Sequence, residues 1–153
     1  MVNPKVPPHD LTAEQSVLGA VLIDKDAMTD VAEFLRPHHF YKDAHSHIYQ
    51  AMMDLFEVHE PIDVVTITAH LKKSGTLKDV GGASYISDLL NVVPTSAHAE
   101  QYGRIIMENA TKRRLVESAA KITEMAFREE GTAQQIVDEA EQEIFAIAQQ
   151  TTR

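Results

Sequence analysis

Residues 102–150, YGRIIMENATKRRLVESAAKITEMAFREEGTAQQIVDEAEQEIFAIAQQ, decide the fold. From Arg104 to Phe127 there is neither glycine nor proline, and most residues are good helix formers. Glu129-Glu130-Gly131-Thr132 then breaks the pattern, with Gly131 supplying a left-handed stop. Thr132 and Gln135 have the spacing of a capping box, which restarts a helix that runs to about Gln149. Two long helices joined by so short a turn fold back antiparallel.

The apolar spacing predicts how the two helices meet. Leu115, Ala119, Ile122 and Ala126 recur at helical steps on the first, and Val137, Ala140, Ile144 and Ile147 on the second. Each set reads as a narrow seam between packed helices. The seams are too short for an extended coiled coil. Ile105, Val116, Thr123 and Phe127 fall on a line about a quarter-turn from the first seam, and Phe145 lies off the second. A hairpin alone does not cover these side chains, so another layer is expected over them, from this chain or from a second copy.

Upstream, residues 1–10 read as an extended Pro-rich arm and 11–95 as a globular helical head, with 96–150 the hairpin and its turn at 129–132. Thr12 and Gln15 suggest a capping box at the start of the first head helix. A turn at Asp24–Asp26, a short helix closed by Pro37 and a longer helix from Ala44 to Val58 follow. Val64–Leu71 is rich in β-branched residues, as strands are. Yet Asp63 can cap a helix, Ser74-Gly75 can stop one, and no partner strand is in sight, so a helix is expected. After the Gly81-Gly82 turn comes a short helix carrying Tyr85, closed by Pro94, and Thr95 or Ser96 caps the long helix. The fold class is all-α: a compact bundle of short helices followed by a long antiparallel helical hairpin.

Composition narrows the function. The 153 residues contain no cysteine, which excludes a disulfide framework and thiolate chemistry. No apolar run nears membrane length and nothing resembles a signal peptide, which points to a soluble, cytoplasmic chain. Net charge is −9. Through Gly103, 7 Lys+Arg stand against 14 Asp+Glu; from Arg104 onward it is 7 against 9. Such a surface repels phosphate backbones. The one basic cluster, Lys112-Arg113-Arg114, reads as a solvated helix face before it reads as a DNA contact.

A search for chemistry finds no P-loop, no dinucleotide fingerprint and no nucleophile elbow. All eight histidines precede Gln101, and His38, His39, His45 and His47 crowd near Asp43. Their spacing suits a metal badly, because neighbours and i,i+2 pairs on a helix point apart. They read as surface histidines. Among the carboxylates Glu14, in the first helix, is the first candidate for partial burial, but it reads rather as a capping or dipole-compensating residue at a helix N-terminus.

A resemblance enters with Pro7-Pro8, Ala13-Glu14-Gln15-Ser16-Val17-Leu18-Gly19-Ala20-Val21-Leu22 and His39-Phe40-Tyr41. It continues through Asp63-Val64-Val65-Thr66-Ile67, Gly81-Gly82-Ala83-Ser84-Tyr85-Ile86, Val93-Pro94-Thr95, Tyr102-Gly103-Arg104-Ile105-Ile106 and Arg113-Arg114-Leu115. In order and spacing these resemble the N-terminal domain of the bacterial replicative DNA helicase of the DnaB type, over nearly the whole chain. Gly103, where relatives often carry Ala, and the His-rich stretch depart from the pattern.

The resemblance implies a non-catalytic collar domain in DNA replication. Its hairpins pair between subunits into dimers, and three dimers form a ring. Leu115, Ala119, Phe127, Val137, Ile144, Phe145 and Ile147 would serve hairpin or oligomer packing. The collar would dock the C-terminal, helicase-binding domain of primase, with Tyr85, Val116 and Ile122 as the matching contact positions, and a helicase loader is a further candidate partner. No cofactor is expected in the domain: ATP and Mg would belong to a RecA-like motor outside this stretch. The chain would then be one piece of a helicase, with weak or no DNA binding of its own. The competing expectations are a stand-alone metal-binding protein and a nucleic-acid-binding helical protein.

Overall fold

A computed structural model describes residues 6–151, so the first five residues of the expected arm lie outside the described residues. Seven α-helices and one short 3-10 turn make up the described chain, and no strand occurs among the described residues. The chain divides into two compact units, one of residues His9–Met107 and the other of residues 6–8 with 108–151.

The first unit is built around α1 (Leu11–Ile23), which is buried along nearly its whole length from Ala13 to Leu22. A helix that is apolar on all sides belongs in the middle of a core. Packed on α1 are α2 (Asp26–Ala32), α3 (Asp43–Glu57) and α5 (Gly82–Leu89), while α4 (Val64–Ser74) packs on α3 and α5. Leu18, Met28, Leu35, Ile48, Tyr49, Met52, Ile67, Ile86 and Leu89 are fully enclosed. Gly19 permits the close approach of α1 to the end of α5: a Cβ there would sit 2.4 Å from the Leu89 carbonyl oxygen. Tyr49 lies deep in this core and donates its hydroxyl to the Leu35 carbonyl at 3.0 Å. Burial drives its phenol well above the usual tyrosine range, and the Arg36 charge offsets this only in part.

Local chemistry sets the helix ends. The expected Thr12–Gln15 box does not form. Asp10 is the N-cap of α1, its Oδ1 accepting from Ala13 N at 2.9 Å. Asp10 stands three residues before Ala13 and Thr12 is already inside the helix, so the stronger cap wins by position. Val64–Ser74 is helical, as its caps foretell. Asp63 Oδ1 accepts from Thr66 N at 2.8 Å, and Thr66 Oγ1 accepts from Asp63 N at 2.9 Å. Gly75, at φ 79°, ends that helix in the left-handed conformation. Thr95 accepts from Ala97 N at 3.2 Å and so caps the turn that precedes α6 (Ala99–Phe127).

The helix α6 is shared between the two units. Its opening turns, with Ala99, Tyr102, Ile106 and Met107, join the core of the first unit. Gly103 lies there too, where a Cβ would come within 2.9 Å of the Phe34 ring, which also carries the Arg104 guanidinium 3.9 Å from its centroid. Phe34 thus fills the space an alanine would need.

In the second unit the remainder of α6 pairs with α7 (Ala133–Thr151). The turn closes as the sequence dictates. Thr132 N donates to Gln135 Oε1 at 2.9 Å, Gln135 N donates to Thr132 Oγ1 at 3.2 Å, and Gly131 has φ 88°. The seam differs from expectation. Ser118 and Ile147 are buried, and Ile122, Met125, Ile136, Ala140 and Glu143 are half-buried. Leu115, Ala119 and Ala126 on α6, and Val137 and Ile144 on α7, are exposed instead. The seam is turned toward positions that pair polar groups. Ser118 Oγ donates to Glu143 Oε2 at 3.2 Å, Lys121 Nζ lies 3.8 Å from Glu143 Oε1, and Arg114 donates to Gln150. Apolar periodicity alone does not register such pairs.

Candidate functional site

The displaced apolar residues fall on one surface. At about 100° per residue, Leu115, Ala119 and Ala126 stand roughly 60–100° from the seam direction of α6. Val137 and Ile144 stand about 70–90° from the seam of α7 in the same rotational sense. Because the helices run antiparallel, both sets come to the same broad face of the hairpin. On α6 the apolar arc continues through Thr123 and Val116 to Phe127, and no charged side chain between 115 and 127 enters it; Glu117, Lys121 and Glu124 point away. Phe127 is 84% exposed, Phe145 62% and Val116 55%. The expectation that the hairpin alone leaves these side chains uncovered therefore holds. An exposed apolar surface of this kind is one that protein contacts commonly cover.

A second feature lies in the first unit. Glu14 and His45 are 1% and 0% exposed: the carboxylate singled out for partial burial is fully enclosed and is not a mere helix-end residue, and the histidine expected at the surface is enclosed with it. Glu14 Oε2 accepts from Tyr41 N at 2.7 Å, and Oε1 accepts from Lys42 N at 3.3 Å. His45 Nδ1 lies 2.8 Å from Glu14 Oε1, and His45 Nε2 lies 2.6 Å from the Tyr85 hydroxyl. A carboxylate can only accept, so Nδ1 carries a proton toward Glu14, while Nε2 pairs with the Tyr85 hydroxyl. Gln15 Nε2 donates to the same hydroxyl at 3.3 Å. Every group in the chain of bonds is satisfied, so α1, α3 and α5 are tied together through side chains. The order carboxylate–imidazole–hydroxyl ends on a phenol held in two hydrogen bonds. The arrangement braces three helices against one another.

The remaining expected positions sort clearly. His39 Nδ1 accepts from Arg36 N at 2.8 Å and its ring lies 4.3 Å from that of His38, while His47 is exposed. No group of three potential metal ligands assembles among the described residues. Arg113 donates to the Pro8 carbonyl at 2.8 Å and Arg114 to Gln150, so two of the three basic residues serve the hairpin unit itself. Of the three positions implied as primase contacts, Tyr85 is half-buried in the first unit, Val116 is exposed on the hairpin, and Ile122 is half-buried in the seam. The Glu14–His45 pair escapes sequence reasoning because its partners are 31 residues apart; only the apolar run around Glu14 hints that it goes inside.

Comparison with known proteins agrees with this architecture. The family model described as "DnaB-like helicase N terminal domain" matches residues 6–108. A replicative DNA helicase DnaB from Leifsonia xyli is 44% identical over 143 residues, covering 94% of this chain and 31% of that protein. The replicative DNA helicase DnaC of Bacillus subtilis is 39% identical over 149 residues, covering 97% of this chain and 33% of that protein. The chain thus spans about a third of these relatives' length. Among solved structures, the N-terminal domain of DnaB helicase from Mycobacterium tuberculosis superposes with a TM-score of 0.88 at 44% identity, covering 93% of this chain and 99% of that one. A DnaB-like replicative helicase, studied with its interactions with primase, superposes with a TM-score of 0.74 at 27% identity, covering 90% of this chain and 31% of that one. By fold, by sequence and by the extent of the match, this chain belongs to the family of DnaB-like helicase N-terminal domains.

Proposed function

We propose that the chain is a non-catalytic collar module of a replicative helicase, which self-associates through the broad hairpin face and provides a docking surface for the C-terminal, helicase-binding domain of primase. The observation that carries this reading is the exposed apolar face formed by Leu115, Ala119, Val137 and Ile144 and continued by Val116 and Phe127. A second copy of the same hairpin offers that face its complement, since a two-fold pairing buries the same patch twice. The primase reading draws support from the structural neighbour whose study concerns interactions with primase. In this reading the domain holds no cofactor. ATP hydrolysis requires a P-loop, and none of the 153 residues forms that motif. DNA contact is weak or absent in this reading, because the chain is acidic and two of the three residues of the basic cluster, Arg113 and Arg114, are engaged internally.

The test is a calorimetric titration of the chain with the primase C-terminal domain, comparing wild type with Val116→Asp. A charge placed in an apolar contact weakens binding by about tenfold or more while helicity stays unchanged. Unaltered affinity removes Val116 from the docking surface, and no heat of binding with wild type removes primase as the partner.

A further inference from the structure

The return helix α7 is held down by little of its own chain. Of its described side chains Ile147 alone is buried, Ile136, Ala140 and Glu143 are half-buried, and the others are exposed. Glu143 meets Ser118 at 3.2 Å and Lys121 at 3.8 Å, and Glu139 meets Arg128 at 3.4 Å. The Arg128–Glu139 pair is about half exposed on both sides, and ion pairs of that kind contribute little. The helix is also weak in itself. From Ala133 to Thr151 it carries Asp138, Glu139, Glu141 and Glu143 and no lysine or arginine. Glu139 and Glu143, four positions apart, repel along one face, and no cation in the last turn meets the helix dipole. A helix in a protein therefore draws most of its stability from packing an apolar face. That of α7 is divided: Ile136, Ala140 and Ile147 turn to the seam, whereas Val137 and Ile144 stand exposed.

The core of the first unit includes no residue of α7, which lies wholly in the second unit, so release of α7 leaves that core in place. We propose that α7 is a releasable element: in the single chain it opens from α6 as a unit, and a second copy seated on Val137 and Ile144 closes it. The proposal rests on the self-association reading above and adds what assembly regulates, the order of α7. Elements with few buried apolar contacts open at low free energy, well before a whole domain unfolds. A minor form populated to about 0.1–10% leaves helix content unchanged and yet dominates amide exchange. Covering Val137 and Ile144 adds two apolar side chains to the one buried and two half-buried in the seam. A partner that binds only the closed form shifts the equilibrium toward it by mass action.

The experiment is amide hydrogen exchange read on peptides by mass spectrometry, with light-scattering mass measured on the same dilution series. Wild type is compared with Leu115→Asp, which puts a charge on the exposed face without altering α7, and with Ile147→Ala, which deletes the buried anchor of α7. In dilute wild type the α7 amides should exchange at least about tenfold faster than those of α1 and α3, and slow by about tenfold or more as the mass doubles. In Leu115→Asp they stay fast at every concentration. Ile147→Ala should speed them by about thirtyfold or more in dilute protein, with α1 and α3 unchanged. Equal acceleration of all three helices in Ile147→Ala overturns the opening of α7 as a unit. Amides of α7 as slow as those of α1 in dilute wild type and in Leu115→Asp, with a mass that still doubles, overturn the release and leave self-association standing. Fast exchange that a doubled mass does not slow overturns closure by the second copy. A mass of one chain at every concentration overturns that closure together with the self-association reading.

Discussion

Replacing Glu14 by alanine removes the acceptor for three donors at once. Tyr41 N at 2.7 Å and His45 Nδ1 at 2.8 Å make short bonds to the carboxylate, and Lys42 N at 3.3 Å a longer one. A hydrogen bond to a charged group contributes about 1.5–3 kcal/mol net, and breaking a buried polar pair by deleting one partner costs about 3–5 kcal/mol. Tyr41 and Lys42 are exposed residues, so water can relieve part of the loss at their N–H groups, whereas His45 is fully enclosed. The expected destabilisation is therefore about 3–5 kcal/mol, a large share of the roughly 5–15 kcal/mol that holds an ordinary domain together. In urea, followed by far-UV circular dichroism, the midpoint should fall by about 2 M. Two companion variants calibrate the result. Asp10→Ala, which removes the true N-cap, should cost about 1 kcal/mol, and Thr12→Ala less than about 0.5 kcal/mol. A loss below about 1 kcal/mol in Glu14→Ala would refute the network as drawn. A larger loss in Thr12→Ala than in Asp10→Ala would return the cap to Thr12.

Other substitutions probe separate parts of the fold. Gly19→Ala places a methyl group 2.4 Å from the Leu89 carbonyl oxygen, so α1 and α5 must separate; thermal unfolding should show a loss of about 2–3 kcal/mol, as for overpacked cores. Thr68 Oγ1 is buried with no hydrogen-bond partner among the described residues. Thr68→Val should therefore stabilise by about 1 kcal/mol in the same assay, and a destabilised variant would show that the hydroxyl is satisfied. Tyr49 bears on pH. Burial raises its phenol pKa, so the folded state keeps the proton that the unfolded chain releases near pH ~10. The unfolded state then binds fewer protons, and stability falls as pH rises above ~10. Tyr49→Phe should flatten that alkaline decline, and an unchanged slope would place its origin elsewhere.

Most features written in local sequence read correctly, the exception being the Thr12–Gln15 box, which gives way to Asp10. The Thr132–Gln135 box, the Asp63 cap, and the left-handed Gly75 and Gly131 each depend on residues within a few positions, and each forms. The exposure of Val116, Phe127 and Phe145 is legible as well, because their helical phase sets them apart from any single seam. The other misread features depend on distant partners. Ser118 can sit in the hairpin seam only because Glu143, 25 residues away, accepts its hydroxyl. Without that bond a serine reads as a surface residue and Leu115 as core. The same holds for Glu14 and His45, each of which is an unfavourable core residue alone and a satisfied one together. The first turns of α6 offer another case. Nothing in their pattern separates the part that packs with the head, through Met107, from the part that pairs with α7.

The central claim is that the broad hairpin face is covered by another copy of the chain. Light-scattering mass over a range of concentrations tests it most directly, comparing wild type with Ile144→Asp, a substitution on that face and outside the seam. The account predicts a wild-type mass of at least twice the 17.0 kDa of one chain, collapsing to 17.0 kDa in Ile144→Asp with helicity unchanged. A wild-type mass of 17.0 kDa at every concentration, or an assembly indifferent to Ile144→Asp, would contradict it.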